Sequence, residues 1–232
     1  MPIIISKELP AYEVLRGEKI FVMDSVRAVT QDIRPLEVAI VNLMPTKEVT
    51  ETQLMRLLGN TPLQVNIHLI GTASYKSTHV SEAHMHKFYR SIDEVRGMKF
   101  DGMIVTGAPV ETIPFEEVKY WDELVSIMDF ARENVTSTIY ICWGAQAALY
   151  HFYGIGKQLL PRKLFGIYPT NATQENDMLL KGMDDTFYIP LSRHTRVDED
   201  ALRKFPHVKV LAVSPEAGIA MGKKQENSYI FS

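Results

Sequence analysis

An α/β fold with a mostly parallel sheet and helices on both faces is predicted by three features of the chain. Short apolar runs alternate with amphipathic stretches long enough for one crossover helix each. Near the carboxyl end the apolar runs crowd together with only turns between them, which predicts an antiparallel extension of the sheet. The 232 residues are 46% apolar and 23% charged, a globular balance with material for a large core. There is no internal repeat, low-complexity tract or Gly/Ser/Pro-rich linker, so residues 1–232 read as a single domain.

Residues 37–43 (EVAIVNL) are rich in β-branched side chains and read as a buried strand. Thr46 is placed to cap a helix that runs to Leu58 and closes at Gly59-Asn60. Leu63, Val65, Ile67 and Leu69 alternate with polar residues, the period of a strand. Residues 102–106 (GMIVT) form another apolar run, ending at Gly107-Ala108-Pro109. Trp121, Leu124, Val125 and Met128 then follow at helical spacing. Residues 138–142 (TIYIC) read as a strand and 145–153 as a helix stopped by Gly154. In the tail, residues 208–213, 217–221 and 228–231 are strand candidates, separated by Ser214-Pro215 and a polar turn over 223–227. The chain stops within the last of these runs, so truncation is expected from the pattern.

Composition excludes several classes of function. With 25 Lys+Arg against 28 Asp+Glu the net charge is −3, which gives no global attraction to nucleic acid or to a membrane surface. The longest apolar runs, such as Ile3-Ile4-Ile5, fall far short of a bilayer span, and no signal peptide opens the chain. A single cysteine can form no intramolecular disulfide and no thiolate zinc site, so a cytoplasmic location is expected.

That cysteine is the first candidate for chemistry. Cys142 ends an apolar run and is followed by Trp143-Gly144-Ala145-Gln146 and a helix, at the strand end where open α/β sheets hold their ligands. So abrupt a strand-to-helix turn strains the backbone and projects its tip residue, the nucleophile-elbow arrangement with sulfur in place of a serine oxygen. A helix N-terminus stabilises a thiolate, so a depressed thiol pKa is expected. The Trp143 N–H would face the oxygen of a tetrahedral intermediate, with a second donor from the loop Gly107-Ala108-Pro109 and Ala108 as the backbone candidate. Gly144 is expected to give the space for close approach.

Cys142-Trp143-Gly144-Ala145-Gln146 resembles the Cys-x-Gly-x-Gln motif of the class I glutamine amidotransferase superfamily, which implies a flavodoxin-like sheet. Three further segments narrow the resemblance to the homoserine O-acyltransferases of methionine biosynthesis. They are Asn42-Leu43-Met44-Pro45-Thr46-Lys47, Thr106-Gly107-Ala108-Pro109-Val110-Glu111 and Pro190-Leu191-Ser192-Arg193-His194-Thr195. The resemblance implies acyl transfer from acyl-coenzyme A to the γ-hydroxyl of L-homoserine through a thioester on Cys142. It places Lys163 and Ser192 in the homoserine pocket, with Arg193 as partner for the substrate carboxylate, a task suited to a planar guanidinium. Lys47 becomes a site-lining cation. The substrates are then L-homoserine and acetyl-coenzyme A, with no bound cofactor, no metal, and a homodimer as the family's assembly.

Glu111 bears on the choice of donor. Family members that use succinyl-coenzyme A resemble one another in having glycine here, and acetyl users carry glutamate. A carboxylate beside the acyl pocket repels the distal carboxylate of a succinyl group and fills its space, so an acetyl donor is expected. The family's base, a histidine oriented by a glutamate, would follow just beyond residues 228–232. Among the histidines present, His194 is the best-placed substitute but reads more readily as a pocket-wall residue. His79, His84 and His86 with Glu82 cluster locally at a spacing that matches no common zinc site, and read as a solvated face. His151 is expected to pack or cap; His68 and His207 carry no signal. The alternatives are succinyl-coenzyme A as donor, a glutaminase-type amidohydrolase on the same elbow, or a silent truncated remnant.

Overall fold

A computed structural model describes residues 2–72, 81–174, 177–224 and 228–231. They divide into two compact units, Met1–Thr106 with Lys119–Thr136, and Gly107–Val118 with Ser137–Ser232.

In the first unit, strands β1 (Ile3–Ile4), β2 (Val22–Met23), β3 (Leu36–Val41), β4 (Val65–Ile70), β5 (Tyr89–Arg90) and β6 (Phe100–Val105) alternate with helices. These are α1 (Pro10–Gly17), α2 (Ser25–Ala28), α3 (Lys47–Leu58), α4 (Glu82–Phe88), α5 (Ile92–Val95) and α6 (Trp121–Asn134). The strands pair in parallel in the order β2-β1-β4-β3-β6, with β5 on β4. Ala39, Ile40 and Val41 are buried in succession, so both faces of β3 are covered, as parallel crossovers require. The helix expected around Trp121 is α6, which buries Trp121, Leu124, Ile127 and Met128 on one face.

Three local details differ from expectation. Thr46 is the N-cap residue of α3, as expected, but its side chain makes no capping bond to the first turn. Leu63 lies outside β4 and is 53% exposed, because β4 starts only at Val65, where it meets β3 and β1. Strand β3 ends at Val41, sooner than expected, where the chain turns: the Asn42 side-chain oxygen accepts the Met44 N–H at 3.1 Å.

The second unit contains β7 (Val135–Tyr140), α7 (Trp143–Tyr153), β8 (Lys157–Ala172), β9 (Thr186–Val197), α8 (Glu199–Lys204), β10 (Val208–Ser214), β11 (Gly218–Lys224) and β12 (Ser228–Phe231). The antiparallel extension is present: β10 pairs with β11 and β8, and β11 with β12. Strand β12 also runs parallel to β7, so the tail returns to the strand that leads to Cys142. Of the polar turn expected over 223–227, Lys223 and Lys224 belong to β11, and residues 225–227 lie outside the described residues.

The β8–β9 hairpin has no counterpart among the strands expected from the sequence. Strand β8 carries Pro161, Gly166 and Pro169, and its register with β9 shifts between Leu159 and Leu164. Half-exposed on both faces, it lacks the apolar alternation that marks a strand covered on one side. Among the described residues no helix is long and apolar enough to cross a membrane.

Candidate active site

The reactive geometry begins with one backbone angle. Cys142 occupies the N-cap of α7 with φ 53° and ψ −121°, a positive φ that a non-glycine residue rarely adopts. Such a conformation costs on the order of 1–3 kcal/mol and persists only where the surroundings impose it. Here β7 has already ended at Tyr140, and the first turn of α7 forms at once: Gly144 N–H donates to Ile141 C=O at 3.0 Å, and Ala145 N–H to Cys142 C=O at 2.9 Å. The elbow expected from the sequence is thus present. A close approach is made by Gly107, where an added Cβ would lie 3.1 Å from Cys142 Cβ and 3.6 Å from Sγ. Ala108, the backbone donor candidate, follows Gly107 and is buried.

Cys142 is partly exposed as a residue, and the electrostatics of its sulfur differ from expectation. Burial pushes the Cys142 thiol up; the Trp143 N–H, donating to the sulfur, and the Arg193 guanidinium act in the opposite direction, while Glu111 adds to the rise. The expected depression by the helix N-terminus is therefore overturned: desolvation of the anion outweighs one backbone donor. The Trp143 N–H is engaged by the sulfur itself in this state.

The segment Gly107–Val118 is fastened around this elbow by several bonds. Glu111 Oε2 accepts from the backbone N–H groups of His194 at 2.8 Å and Thr195 at 3.1 Å. Phe115 stacks on Tyr150 with ring centres 4.6 Å apart and lies 6.0 Å from the Trp143 ring. Tyr150 donates to Glu116, and Lys157 Nζ donates to Ile113 C=O at 2.6 Å. Glu111 is therefore both a charge near the sulfur and a brace on β9.

The remaining candidates are distributed unevenly. Arg193, on β9, is only 2% exposed and donates to Ala217 C=O, so its guanidinium is turned inward while its charge still reaches Cys142. Ser192 and Lys163 are exposed; Ser192 pairs with Phe165 across the hairpin, and Lys163 Nζ lies 5.7 Å over the Phe165 ring. Lys47 belongs to the first unit, at the start of α3, and is buried. Its Nζ donates to Asn42 C=O at 2.5 Å, and burial pulls its pKa down to about 8 against the opposing pull of Glu51.

Of the histidines, His84 departs from the solvated-face expectation: it is buried on α4, and its Nε2 bonds Glu51 Oε1 at 3.1 Å. His86 and Glu82 are exposed, while His79 lies outside the described residues. His194 is exposed and contributes its backbone N–H to Glu111. His151 packs beside Phe152 and His207 beside Phe205; His68 bonds Glu37 at 2.5 Å.

Two residues to which the sequence assigns no role of their own join the site. Thr195 Oγ lies 3.2 Å from Glu111 Oε2 and 3.0 Å from Gln146 Oε1, and both Thr195 and Gln146 are buried. Their only signal in the sequence is membership of the two quoted motifs.

Known proteins resemble the chain in fold and in sequence. The solved structure of a putative GMP synthase protein from Thermoplasma acidophilum superposes with a TM-score of 0.61 at 15% identity, covering 86% of this chain and 83% of that one. A glutamine amidotransferase from Thermotoga maritima gives a TM-score of 0.60 at 8% identity, covering 86% and 75%. At these identities the likeness is one of fold, and it agrees with the class expected from the elbow motif. In sequence, proteins named homoserine O-acetyltransferase match all of this chain: one from Shouchella clausii is 53% identical over 75% of its length, and one from Clostridium acetobutylicum 55% identical over 77%. The family model described as homoserine O-succinyltransferase matches residues 2–232, and the chain belongs to that family of acyltransferases.

Proposed function

We propose that this protein transfers an acetyl group from acetyl-coenzyme A to the γ-hydroxyl of L-homoserine, forming O-acetyl-L-homoserine for methionine biosynthesis. Cys142 Sγ, as thiolate, attacks the thioester carbonyl; the new carbon–sulfur bond forms and the bond to coenzyme A breaks, releasing its thiolate, which takes up a proton. The homoserine hydroxyl oxygen then attacks the acyl-enzyme, losing its proton as Cys142 leaves. The observation that carries this reading is Cys142 at positive φ on the N-cap of α7, partly exposed and flanked by the Trp143 N–H. Oxyanion stabilisation falls to the Trp143 N–H, once freed from the sulfur, and to the Ala108 backbone. Lys163, Ser192 and Arg193 are assigned to homoserine and Lys47 to a supporting charge. Coenzyme A is a substrate here, and no resident cofactor or metal is assigned.

The acetyl preference rests on Glu111, whose charge already acts on the sulfur and would oppose a succinyl carboxylate. A homodimer is part of the reading. Phe165, Ile167 and Tyr188 are each at least 70% exposed on the hairpin, an apolar stripe that a second copy would cover; a monomer mass by sedimentation would exclude it. Small soluble substrates and a lone reduced thiol suit the cytoplasm.

The direct test is intact mass after incubation with acetyl- or succinyl-coenzyme A. An acetyl adduct, lost in Cys142→Ala, is the expected result. An adduct that survives that substitution would move the nucleophile elsewhere, and equal labelling by both donors in wild type and Glu111→Gly would remove the role given to Glu111.

A further inference from the structure

One hydroxyl proton lies between two acceptors beside the elbow. Thr195 Oγ is 3.0 Å from Gln146 Oε1 and 3.2 Å from Glu111 Oε2, and the same Glu111 oxygen also receives the Thr195 N–H at 3.1 Å. Thr195 and Gln146 are each 2% exposed, so the hydrogen bond between them is shielded from bulk water, while the bond to Glu111 is part-buried. Gln146 sits on the first turn of α7, whose N-cap is Cys142, and its N–H donates to Cys142 C=O at 3.2 Å. Glu111, by contrast, lies in a turn and is half-exposed. The His194 N–H also donates to that oxygen at 2.8 Å; without these donors from β9 such a carboxylate would sample several rotamers and present its charge to the sulfur only part of the time. The buried pair thus links the helix that carries the sulfur to the carboxylate that acts on it.

We propose that Thr195 and Gln146 are positioning residues for donor choice: together they hold the Glu111 carboxylate facing the acyl group carried on Cys142, so that the identity of residue 111 is effective only with this pair behind it. The proposal rests on the donor reading of Glu111 given above. It predicts that removing one buried hydroxyl, 3.2 Å from the carboxylate and belonging to another strand, reproduces part of the effect of removing the charge itself.

Because the chain has one cysteine, alkylation reports on Cys142 alone, whatever the enzyme's turnover. The probe is the ratio of alkylation rates by anionic iodoacetate and neutral iodoacetamide, which senses local charge and cancels changes in thiol exposure and thiolate content. Glu111→Gln is expected to raise this ratio about fivefold, the effect of one unit charge in a solvated site. Thr195→Val is expected to raise it about twofold, Thr195→Ser to restore the wild-type ratio, and Thr195→Val added to Glu111→Gln to change nothing further. Thr195→Ala, which also removes the hydroxyl, serves as a second variant with the same expectation, should Thr195→Val fail to fold. A wild-type ratio in Thr195→Val or Thr195→Ala, with Glu111→Gln shifted, would overturn the proposal and leave the reading of Glu111 standing. No shift in Glu111→Gln would overturn both. An equal further rise in the double variant would also refute it, since Thr195 would then act independently of Glu111.

Discussion

Burial drives two titratable groups of this protein toward their neutral forms from opposite directions. In the first unit Lys47 lies at the start of α3, and desolvation of its ammonium pulls its pKa down to about 8. In the second unit Cys142 lies at the start of α7, and desolvation of its thiolate pushes its pKa up. The surroundings differ. Lys47 is held by Asn42 C=O and stands in a closed polar cluster where Glu51 Oε1 accepts from Tyr89 at 2.5 Å and from His84 at 3.1 Å. Tyr89 in turn accepts from Asn42 at 3.0 Å. Cys142 has one backbone donor and two charges of opposite sign acting on it, and is partly exposed as a residue. The first arrangement directs its hydrogen bonds inward, on Lys47 and Glu51 Oε1, although Glu51 Oε2 is left without a partner; the second leaves a reactive atom facing a charge on either side. Similar positions at helix starts can therefore serve stability in one region and chemistry in the other.

The largest effect should come from opening the closed cluster. Glu51 is fully buried, with its charge acting on Lys47. Removing one partner of a buried charged network costs about 3–5 kcal/mol, so Glu51→Ala should lose roughly 3 kcal/mol or more in urea unfolding. Glu51→Gln, which keeps the acceptor for Tyr89, should lose less. A cost below about 1 kcal/mol for Glu51→Ala would break the contrast between the regions.

Next in size is the pH response of Lys47. Its folded pKa is lowered, so between about pH 8 and the ordinary lysine value of 10.5 the unfolded chain binds the extra proton. Stability contributed by this group is then complete above the unfolded pKa and lost as pH falls through about 8. Measured against Lys47→Met, wild type should gain up to about 3 kcal/mol across that window. The raised pKa of Cys142 acts with the opposite sign as pH climbs past the ordinary thiol range, but it is common to both proteins and cancels. A flat difference across the window would mean that Lys47 is not desolvated.

The smallest effect sharpens the other side of the comparison. An alanine Cβ at residue 107 would meet Cys142 Cβ at 3.1 Å, a contact relieved by a shift of a few tenths of an ångström. Gly107→Ala should therefore cost only about 1 kcal/mol in stability, yet slow alkylation of Cys142 by moving the elbow. Unchanged alkylation would show that Gly107 does not shape the approach to the sulfur.

Much of the scaffold is legible in the residues themselves. The run through Ala39, Ile40 and Val41 is apolar without interruption because both faces of β3 are covered, and such runs identify parallel strands directly. Gly154 ends α7 in the left-handed conformation, as a helix-stopping glycine should. The β8–β9 hairpin is not legible, because β8 carries Pro161, Gly166 and Pro169 and exposes Leu159, Phe165 and Ile167, while the covered side of β9 includes Arg193 and Thr195 beside its apolar residues. Thr46 looks like a side-chain cap and is not one, because residue type reports only that a cap is available, whereas the backbone angles decide whether it is used.

Within the site, the order of residues is enough to pick out Cys142, since a strand, a cysteine, a Trp-Gly pair and a helix in close succession call for an abrupt turn. Local order could not reveal which way the thiol would titrate. That direction depends on how much water the folded chain removes from the sulfur and on Glu111 and Arg193, which lie 31 and 51 positions away in the sequence. Nor could it reveal that Thr195 meets both Glu111 and Gln146, because hydrogen bonds across 84 and 49 positions exist only once β9 has been laid beside α7. Backbone strain is a local property and is written in neighbouring residues; desolvation and charge are sums over everything nearby, and only the tertiary structure decides what is nearby.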